Sequence, residues 1–279
     1  MNRILLAYSG SLPATAAIPW LRDTYDAEVV TLSLDLGQGV DLADVRERAL
    51  ASGALRAHVI DAREEFVRDH ILPALRAGHA ASPAAFAERP LSRALIAKRL
   101  VDLARMENAS AVAHGCAAED PDRAALEEAI RTLNPSLPIY APASTWEASG
   151  DDLDVNLWGR TILRAPAESD FRLTRRLDET PLEPAVMALE FIAGVPVRAN
   201  DVDMPIIELI ESIETIAGTH GVGRIALPGG MAAESPAAVV LQAAFSALAA
   251  AGAADGIVRV RLSKGSCDIV DVFATKAAV

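Results

Sequence analysis

Short, continuous apolar runs alternate through the first half of the chain with stretches whose apolar residues recur at helical spacing. The runs Arg3–Tyr8, Glu28–Leu34, Arg56–Ile60, Ser110–His114 and Leu137–Tyr140 predict strands. Between them, Pro13–Tyr25, Asp41–Ser52, Glu64–Ala77, Leu91–Glu107 and Asp122–Leu133 predict helices. Strands that are apolar throughout are covered on both faces, and interleaved helices supply the cover, so the pattern predicts an α/β fold with a doubly wound parallel sheet of nucleotide-binding type. In such sheets ligands bind beyond the C-terminal strand ends, where Ser9, Asp35 and His114 fall.

The pattern changes after Ala141-Pro142. A polar stretch, Ser144–Asp154, predicts the crossing from a nucleotide-binding domain, 1–145, to a second domain, 146–279. There Ala185–Ile192 and Val195–Ala199 read as strands joined at Ala193-Gly194. Helices follow at Pro205–Gly218 and Pro236–Ala251, then strands at Ile257–Leu262 and Asp268–Phe273, which together predict a smaller α+β domain.

Composition narrows the chemistry. A net charge of -12 over 279 residues argues against a nucleic-acid partner, whose phosphates reward a basic surface. No apolar run reaches the length of a bilayer span, and the opening MNRILLAYSGS lacks a signal-peptide pattern, so no membrane association and a cytoplasmic location are expected. Cys116 and Cys267 offer neither a disulfide framework nor metal-ligand spacing, and no metal site is expected from the protein's own ligands. His114 stands two residues from Cys116, a spacing open to a thiol nucleophile but read here as period-two neighbours that share a strand face without any catalytic need.

The richest chemistry lies in Ala7-Tyr8-Ser9-Gly10-Ser11-Leu12-Pro13-Ala14-Thr15, between the first strand and the first helix. Strand, small-residue turn and helix in that order aim backbone N–H groups at a phosphate. Ser9, Gly10 and Thr15 supply hydroxyl or amide donors, whereas Pro13 has no N–H and Ser11 puts a Cβ where an anion would approach. The plain structural alternative is a strand-to-helix turn with Pro13 at the first helical position.

Seven segments in order carry a resemblance to argininosuccinate synthases. They are Ala7–Thr15 after its strand, Thr31–Asp41, Arg63-Glu64-Glu65-Phe66 with Ile71–Leu75, Leu95-Ile96-Ala97-Lys98, Ala113-His114-Gly115-Cys116, Asn156–Arg160 and Ala217–Ile225. The chain is identified as a divergent, shortened member of that family, whose ATP-pyrophosphatase loop sits in an adenine nucleotide alpha hydrolase-like fold. Family members adenylate the ureido oxygen of citrulline with ATP, and the aspartate amine then displaces AMP. The resemblance implies nucleotide binding at Ala7, Tyr8, Ser9, Gly10, Thr15, Leu34 and Gly115, and substrate binding at Asp122 and Thr161. It names no catalytic residue here. ATP and Mg2+ as cofactors and small amino acids as partners follow if the chain is active. The C-terminal arm by which the family forms tetramers has no counterpart before Val279, which predicts a monomer or homodimer.

Departures from the family pattern fall on ligand contacts. The loop has Ser11 for glycine and Pro13 for aspartate, and the pattern TGKGND is replaced over Ala117–Asp122 except at Asp122. Glu119 and Asp120 bring negative charge toward an anion site, at a cost of about 1–4 kcal/mol each. The family's citrulline-carboxylate arginine falls at Ala125, its asparagine at Pro121, its two serines at Asp152 and Thr161, and its tyrosine at Ala233. A further tyrosine and threonine fall at Ala85 and Arg89, and ALPGGMAAES is too short to carry the family's citrulline-binding glutamate. Framework motifs persist, including Leu36-Gly37-Gln38-Gly39 and His220–Arg224. The expectation is an argininosuccinate synthase-like protein degenerate for the family reaction. An adenylating ligase with a different substrate, or a non-catalytic scaffold or binding module, stands as the alternative. Leu157 and Trp158 read as packing residues, Gly221–Gly223 as a helix cap and strand entry, and the Arg46-Glu47-Arg48 and Arg63-Glu64-Glu65 clusters as solvated helix faces.

Overall fold

A computed structural model describes residues 2–78, 91–116, 123–142, 152–162 and 165–275. They group into two compact units: Met1–Ala62 with Pro90–Gly150, and Arg63–Arg89 with Asp151–Val279.

In the first unit, strands β1 (Asn2–Ala7), β2 (Ala27–Asp35), β3 (Arg56–Asp61), β4 (Ala111–His114) and β5 (Ile139–Tyr140) form a parallel sheet in the order β3-β2-β1-β4-β5. The chain adds strands on one side of β1, then crosses to the other, so the switch point lies between β1 and β4. Ile4, Leu5 and Leu6 of β1 and Val29 and Val30 of β2 are fully buried, as the unbroken apolar runs require. Helix α1 (Leu12–Tyr25) packs Ala14, Ala17, Ile18 and Leu21 into that core. Its N-cap is Ser11, whose Oγ accepts from Ala14 N at 3.3 Å. Pro13 therefore takes the second helical position, one later than expected, because the cap starts the helix at Leu12. Helix α2 (Leu42–Ala51) is capped likewise by Asp41, which accepts from Ala43 N at 2.8 Å.

Four charged residues are tied to Glu107 or its neighbour at the N-terminal edge of this sheet, the edge away from the switch-point loops. Glu107, just past helix α5 (Leu91–Met106), is buried and meets Arg56 at 2.8 Å, His58 Nε2 at 2.8 Å and Arg3 at 3.2 Å, while Arg3 also holds Glu28 at 2.7 Å. Burial pushes the Glu107 carboxyl up, but hydrogen bonds from His58 and Arg56 outweigh it and hold its pKa below the ordinary carboxylate value. A depressed carboxyl stabilises the fold above its unfolded pKa, and that contribution disappears as pH falls through the folded one. Glu107→Gln should therefore lower unfolding free energy by about 1 kcal/mol at neutral pH and flatten the acid limb below about pH 4.5, read by urea titration across pH. An unchanged acid limb would show that the knot contributes no proton linkage.

The second unit takes in Arg63–Ala77, of which Glu64–Ala77 is expected as one helix of the first domain. It is instead α3 (Arg63–Phe66), a π-helical turn (Val67–Ile71) and α4 (Leu72–Ala77). Gly78 O, just past α4, accepts 3.2 Å from the buried Gln242 of helix α8 (Pro236–Ala250), which is why the segment groups with the later chain. Glu65 is buried, so its charged cluster is only partly a solvated face.

Two antiparallel sheets complete the unit. One, in the order β10-β9-β8-β13-β14, comprises β8 (Ala185–Ile192), β9 (Val195–Ala199), β10 (Val202–Asp203), β13 (Asp255–Ser263) and β14 (Ser266–Thr275). Met187, Leu189 and Phe191 alternate inward, and Ala193 and Gly194 both take positive φ at the β8–β9 turn. The other, in the order β11-β12-β7-β6, comprises β6 (Asp152–Asn156), β7 (Gly159–Ile162), β11 (Arg224–Ala226) and β12 (Ala232–Glu234). Polarity around Asp151–Asp154 hid the β6–β7 hairpin from the apolar pattern; its turn, Leu157-Trp158, is buried, with Trp158 N donating to Asn156 Oδ1 at 2.8 Å. Helix α7 (Ile206–Thr219) ends at His220, and Gly221 and Gly223 lead into β11. Among the described residues no helix is long and apolar enough to cross a membrane.

Candidate functional site

The loop after β1 and the turn after β4 flank the switch point of the first unit. Ala7 ends β1, and the buried Tyr8 extends it by donating from N to Leu32 O at 2.9 Å. Ser33 Oγ donates to Tyr8 O at 2.8 Å, so β2 fixes the point where the loop leaves the sheet. Gly10 then adopts φ +80, and a Cβ there would meet Arg48 and Val45 at 3.1 Å, so strain and space both favour glycine. Across the switch point, a Cβ built on Gly115 would lie 3.4 Å from Ala14 Cβ, which brings the β4 turn against the first turn of α1.

Several donors that would serve a phosphate already have partners. Ser11 Oγ occupies Ala14 N–H, Ser9 Oγ reaches Ser11 Oγ at 3.1 Å, and Thr15 Oγ1 bonds the Tyr8 hydroxyl at 2.8 Å. The loop closes on itself as a capped turn, and an anion would have to displace those bonds. No carboxylate stands between Tyr8 and Thr15, so the loop offers a cation neutral oxygens, hydroxyl or carbonyl, and no charge. Among the described residues no group of three His, Cys, Asp or Glu is arranged to hold a metal ion.

On the β4 side, buried His114 accepts from Cys116 N at its Nδ1, 3.3 Å away, and its Nε2 lies 3.4 Å from Glu127 Oε1. The imidazole thus shapes the turn around Gly115, and it meets Cys116 through the Cys116 backbone N–H. Glu127 sits on helix α6 (Arg123–Leu133), where it accepts from Arg123 at 2.7 Å and Arg131 at 2.6 Å, one turn before and after it. Burial raises this carboxyl, and the two guanidinium hydrogen bonds bring it below its ordinary value. Asp35 Oδ1 accepts from Gly37 N at 2.9 Å, closing the turn after β2.

Of the residues expected to touch a nucleotide, Ala7, Tyr8, Ser9, Gly10, Thr15, Leu34 and Gly115 all belong to the first unit: Thr15 in the first turn of α1, the others at the C-terminal ends of β1 and β2 or in the loops after β1 and β4. Thr161 belongs to β7 of the second unit, directly opposite Ala233 of β12. Asp122, with Ala85, Arg89, Glu119, Asp120 and Pro121, lies outside the described residues. A depression of about 980 Å³ also opens on the first unit, lined by Arg22, Asp23, Asp26 and Glu28 among others. It lies at the N-terminal strand edge among carboxylates, the wrong end and the wrong charge for a nucleotide.

Beside the positions carrying Thr161 and Ala233, the same two strands pair Arg160 with Glu234. Glu234 is fully buried, and its Oε2 takes Arg160 Nη1 at 3.0 Å and Arg172 N at 3.0 Å. Its Oε1 takes Leu173 N at 2.8 Å, Thr174 N at 2.6 Å and Thr174 Oγ1 at 2.7 Å. Thr174 Oγ1 in turn accepts from Arg224 Nε at 2.8 Å, and the Arg224 guanidinium lies 4.0 Å over the Phe171 ring. This knot was not legible from the sequence, because its members are spread from Arg160 to Glu234 with no motif spacing.

The parallel sheet, its strand order and the small-residue turn at the switch point define the first unit as a nucleotide-binding α/β domain of HUP type. Residues 3–155 match the family described as arginosuccinate synthase N-terminal HUP domain, and residues 153–252 match arginosuccinate synthase C-terminal domain. The chain belongs to the argininosuccinate synthase family. It is similar to the argininosuccinate synthases of Bacillus thuringiensis (strain Al Hakam) and Bacillus cereus (strain AH820), each 39% identical over 254 residues that cover 80% of this chain and 63% of the relative. The chain thus spans less than two thirds of the length of those relatives. Among solved structures, a predicted subunit of a tRNA methyltransferase from Methanocaldococcus jannaschii superposes with a TM-score of 0.38 at 12% identity, over 52% of this chain and 71% of that one.

Proposed function

We propose that this protein keeps the adenine-nucleotide crevice of argininosuccinate synthases and has lost the ligation of citrulline to aspartate. One observation carries the reading: the family's citrulline-carboxylate arginine falls at Ala125, and the arginine nearest to it along the helix is already engaged. Arg123 is bound through Nε to Glu127, which Arg131 also holds. A carboxylate substrate would therefore face a methyl group where a bidentate clamp belongs, a loss of about 1.5–3 kcal/mol for a charge-assisted pair. Ala233 in place of a tyrosine supports the same reading, since a buried methyl has no hydroxyl to offer.

Retention of the crevice rests on the left-handed Gly10, the close packing of Gly115 on Ala14 and the strand-end carbonyl of Leu34. The expected result with ATP, Mg2+, citrulline and aspartate is no AMP release above background, together with a rise in melting temperature on adding millimolar ATP. Robust citrulline-dependent AMP release would sink the proposal. ATP turnover supported by a different acid, with none by citrulline, would mark an adenylating ligase of altered substrate. No thermal shift with any nucleotide would favour a scaffold.

A further inference from the structure

We infer that Gln38 is the specificity-positioning residue of the nucleotide crevice, because its side-chain amide fixes the backbone edge of Leu34 that meets the base. The inference rests on the nucleotide reading above. Its geometry begins with β2. Leu32 turns its carbonyl toward β1, where it takes Tyr8 N–H, whereas Asp35 turns its carbonyl the other way, to Ala62 N–H at 3.0 Å. By the two-residue period of a strand, Leu34 presents its N–H and C=O on the same side as Leu32. The β1–β2 ladder ends at Ala7↔Leu32, and β1 has by then turned away into the Ser9–Ser11 loop. The Leu34 edge therefore faces the opening above the loop instead of a neighbouring strand.

That edge is held by one side chain. Gln38 Nε2 donates to Leu34 O at 2.7 Å, and Gln38 Oε1 accepts from Leu36 N at 2.7 Å. The two partners fix the amide orientation, since a flipped amide would set oxygen against oxygen and N–H against N–H. A carbonyl has two lone pairs, so Leu34 O bound to Gln38 retains one for a ligand. A backbone N–H beside a C=O complements the six-position edge of adenine, whose amino group donates and whose ring N1 accepts. Hypoxanthine reverses both, presenting an oxo acceptor and an N1–H donor. Holding the Leu34 carbonyl in place therefore selects adenine over a 6-oxopurine.

The test compares wild type, Gln38→Glu and Gln38→Ala for ATP and ITP affinity by calorimetric titration. Wild type should prefer ATP by at least about tenfold, as sites built to pair a polar edge reject its inverse. Gln38→Glu keeps the acceptor for Leu36 N–H but sets a carboxylate oxygen against Leu34 O; it should weaken ATP by about tenfold and bring the ATP-to-ITP ratio toward one. Gln38→Ala should do the same through loss of both bonds, with faster hydrogen exchange at the Leu36 amide. A simple loss of stability would weaken both nucleotides alike and leave their ratio unchanged, and that result in either folded variant overturns the inference alone. Absence of nucleotide binding by the wild type overturns the nucleotide reading and this inference with it.

Discussion

Glu234→Gln should lower unfolding free energy by about 3–5 kcal/mol, the largest single-site loss expected in this protein. The carboxylate is fully buried and takes five hydrogen bonds, so removing its charge takes the counter-charge from the almost fully buried Arg160 guanidinium, which keeps its bond to Asp170 O at 2.7 Å. Glutamine keeps the shape but puts an amide N–H against either Arg160 and the Arg172 amide or the Leu173 and Thr174 amides, and one set of donors loses its acceptor at this side chain. The effect should appear as a lower urea midpoint at unchanged m-value, and a loss under about 1 kcal/mol would show that the knot is dispensable. The Leu173-Thr174 backbone that donates to Glu234 is also pressed close from another side. A Cβ on Gly218, in the last turn of α7, would lie 2.0 Å from Leu173 O, so that backbone sits where only a glycine helix surface allows it.

Glu214→Gln should have the opposite sign. Burial first, then the like charges of Glu211 and Glu234, push the Glu214 carboxyl up to about 7. A carboxyl raised above its unfolded value stabilises the fold in its protonated form below the unfolded pKa of about 4.5, and that contribution is lost as pH rises through about 7. At about pH 8 the wild type holds a partly buried charge that the unfolded chain solvates freely, and glutamine removes the penalty. Allowing for partial exposure, the variant should gain about 2 kcal/mol at that pH and nothing near pH 4.5. Urea titrations at a series of pH values give the two curves; parallel curves would place the Glu214 titration in the ordinary carboxylate range. Glu214 also sets a limit on Glu234→Gln, because neutralising Glu234 removes one of the charges that raise Glu214. The two substitutions should not be additive.

On the function proposed above, the family site divides along the line between backbone and side chain. Features that depend on the backbone are kept: the left-handed Gly10, Gly115 packed on Ala14, and the braced edge of β2. Features that depend on a particular side chain are changed: Ser11 now caps a helix, Pro13 occupies a helical position in its first turn, and Ala125 has no group to offer a carboxylate. Restoring a single side chain would leave the others missing, so a lone Ala125→Arg exchange should not create citrulline-dependent turnover.

What the sequence determined by itself was whatever a local period or a local cap can encode. Unbroken apolar runs specified buried parallel strands, Asp41 marked a helix start, Ala193-Gly194 specified a tight turn, and seven ordered segments specified the family. Each of these signals lies within a few residues of the feature it produces. Tertiary structure alone decided that Arg63–Ala77 packs with the second unit, that a hairpin runs through the polar Asp152–Ile162 stretch, and that Glu234 gathers Arg160, Arg172, Leu173 and Thr174 around one carboxylate. It alone also showed that Arg123 is engaged by Glu127 and that Gln38, otherwise a framework residue, holds the edge of β2. For the first three the physical reason is that burial and hydrogen-bond satisfaction are set by which distant groups share a space, which the one-dimensional order of residues does not record. For Arg123 and Gln38 the partners are within four residues, and the structure decided which of the available neighbours each side chain takes.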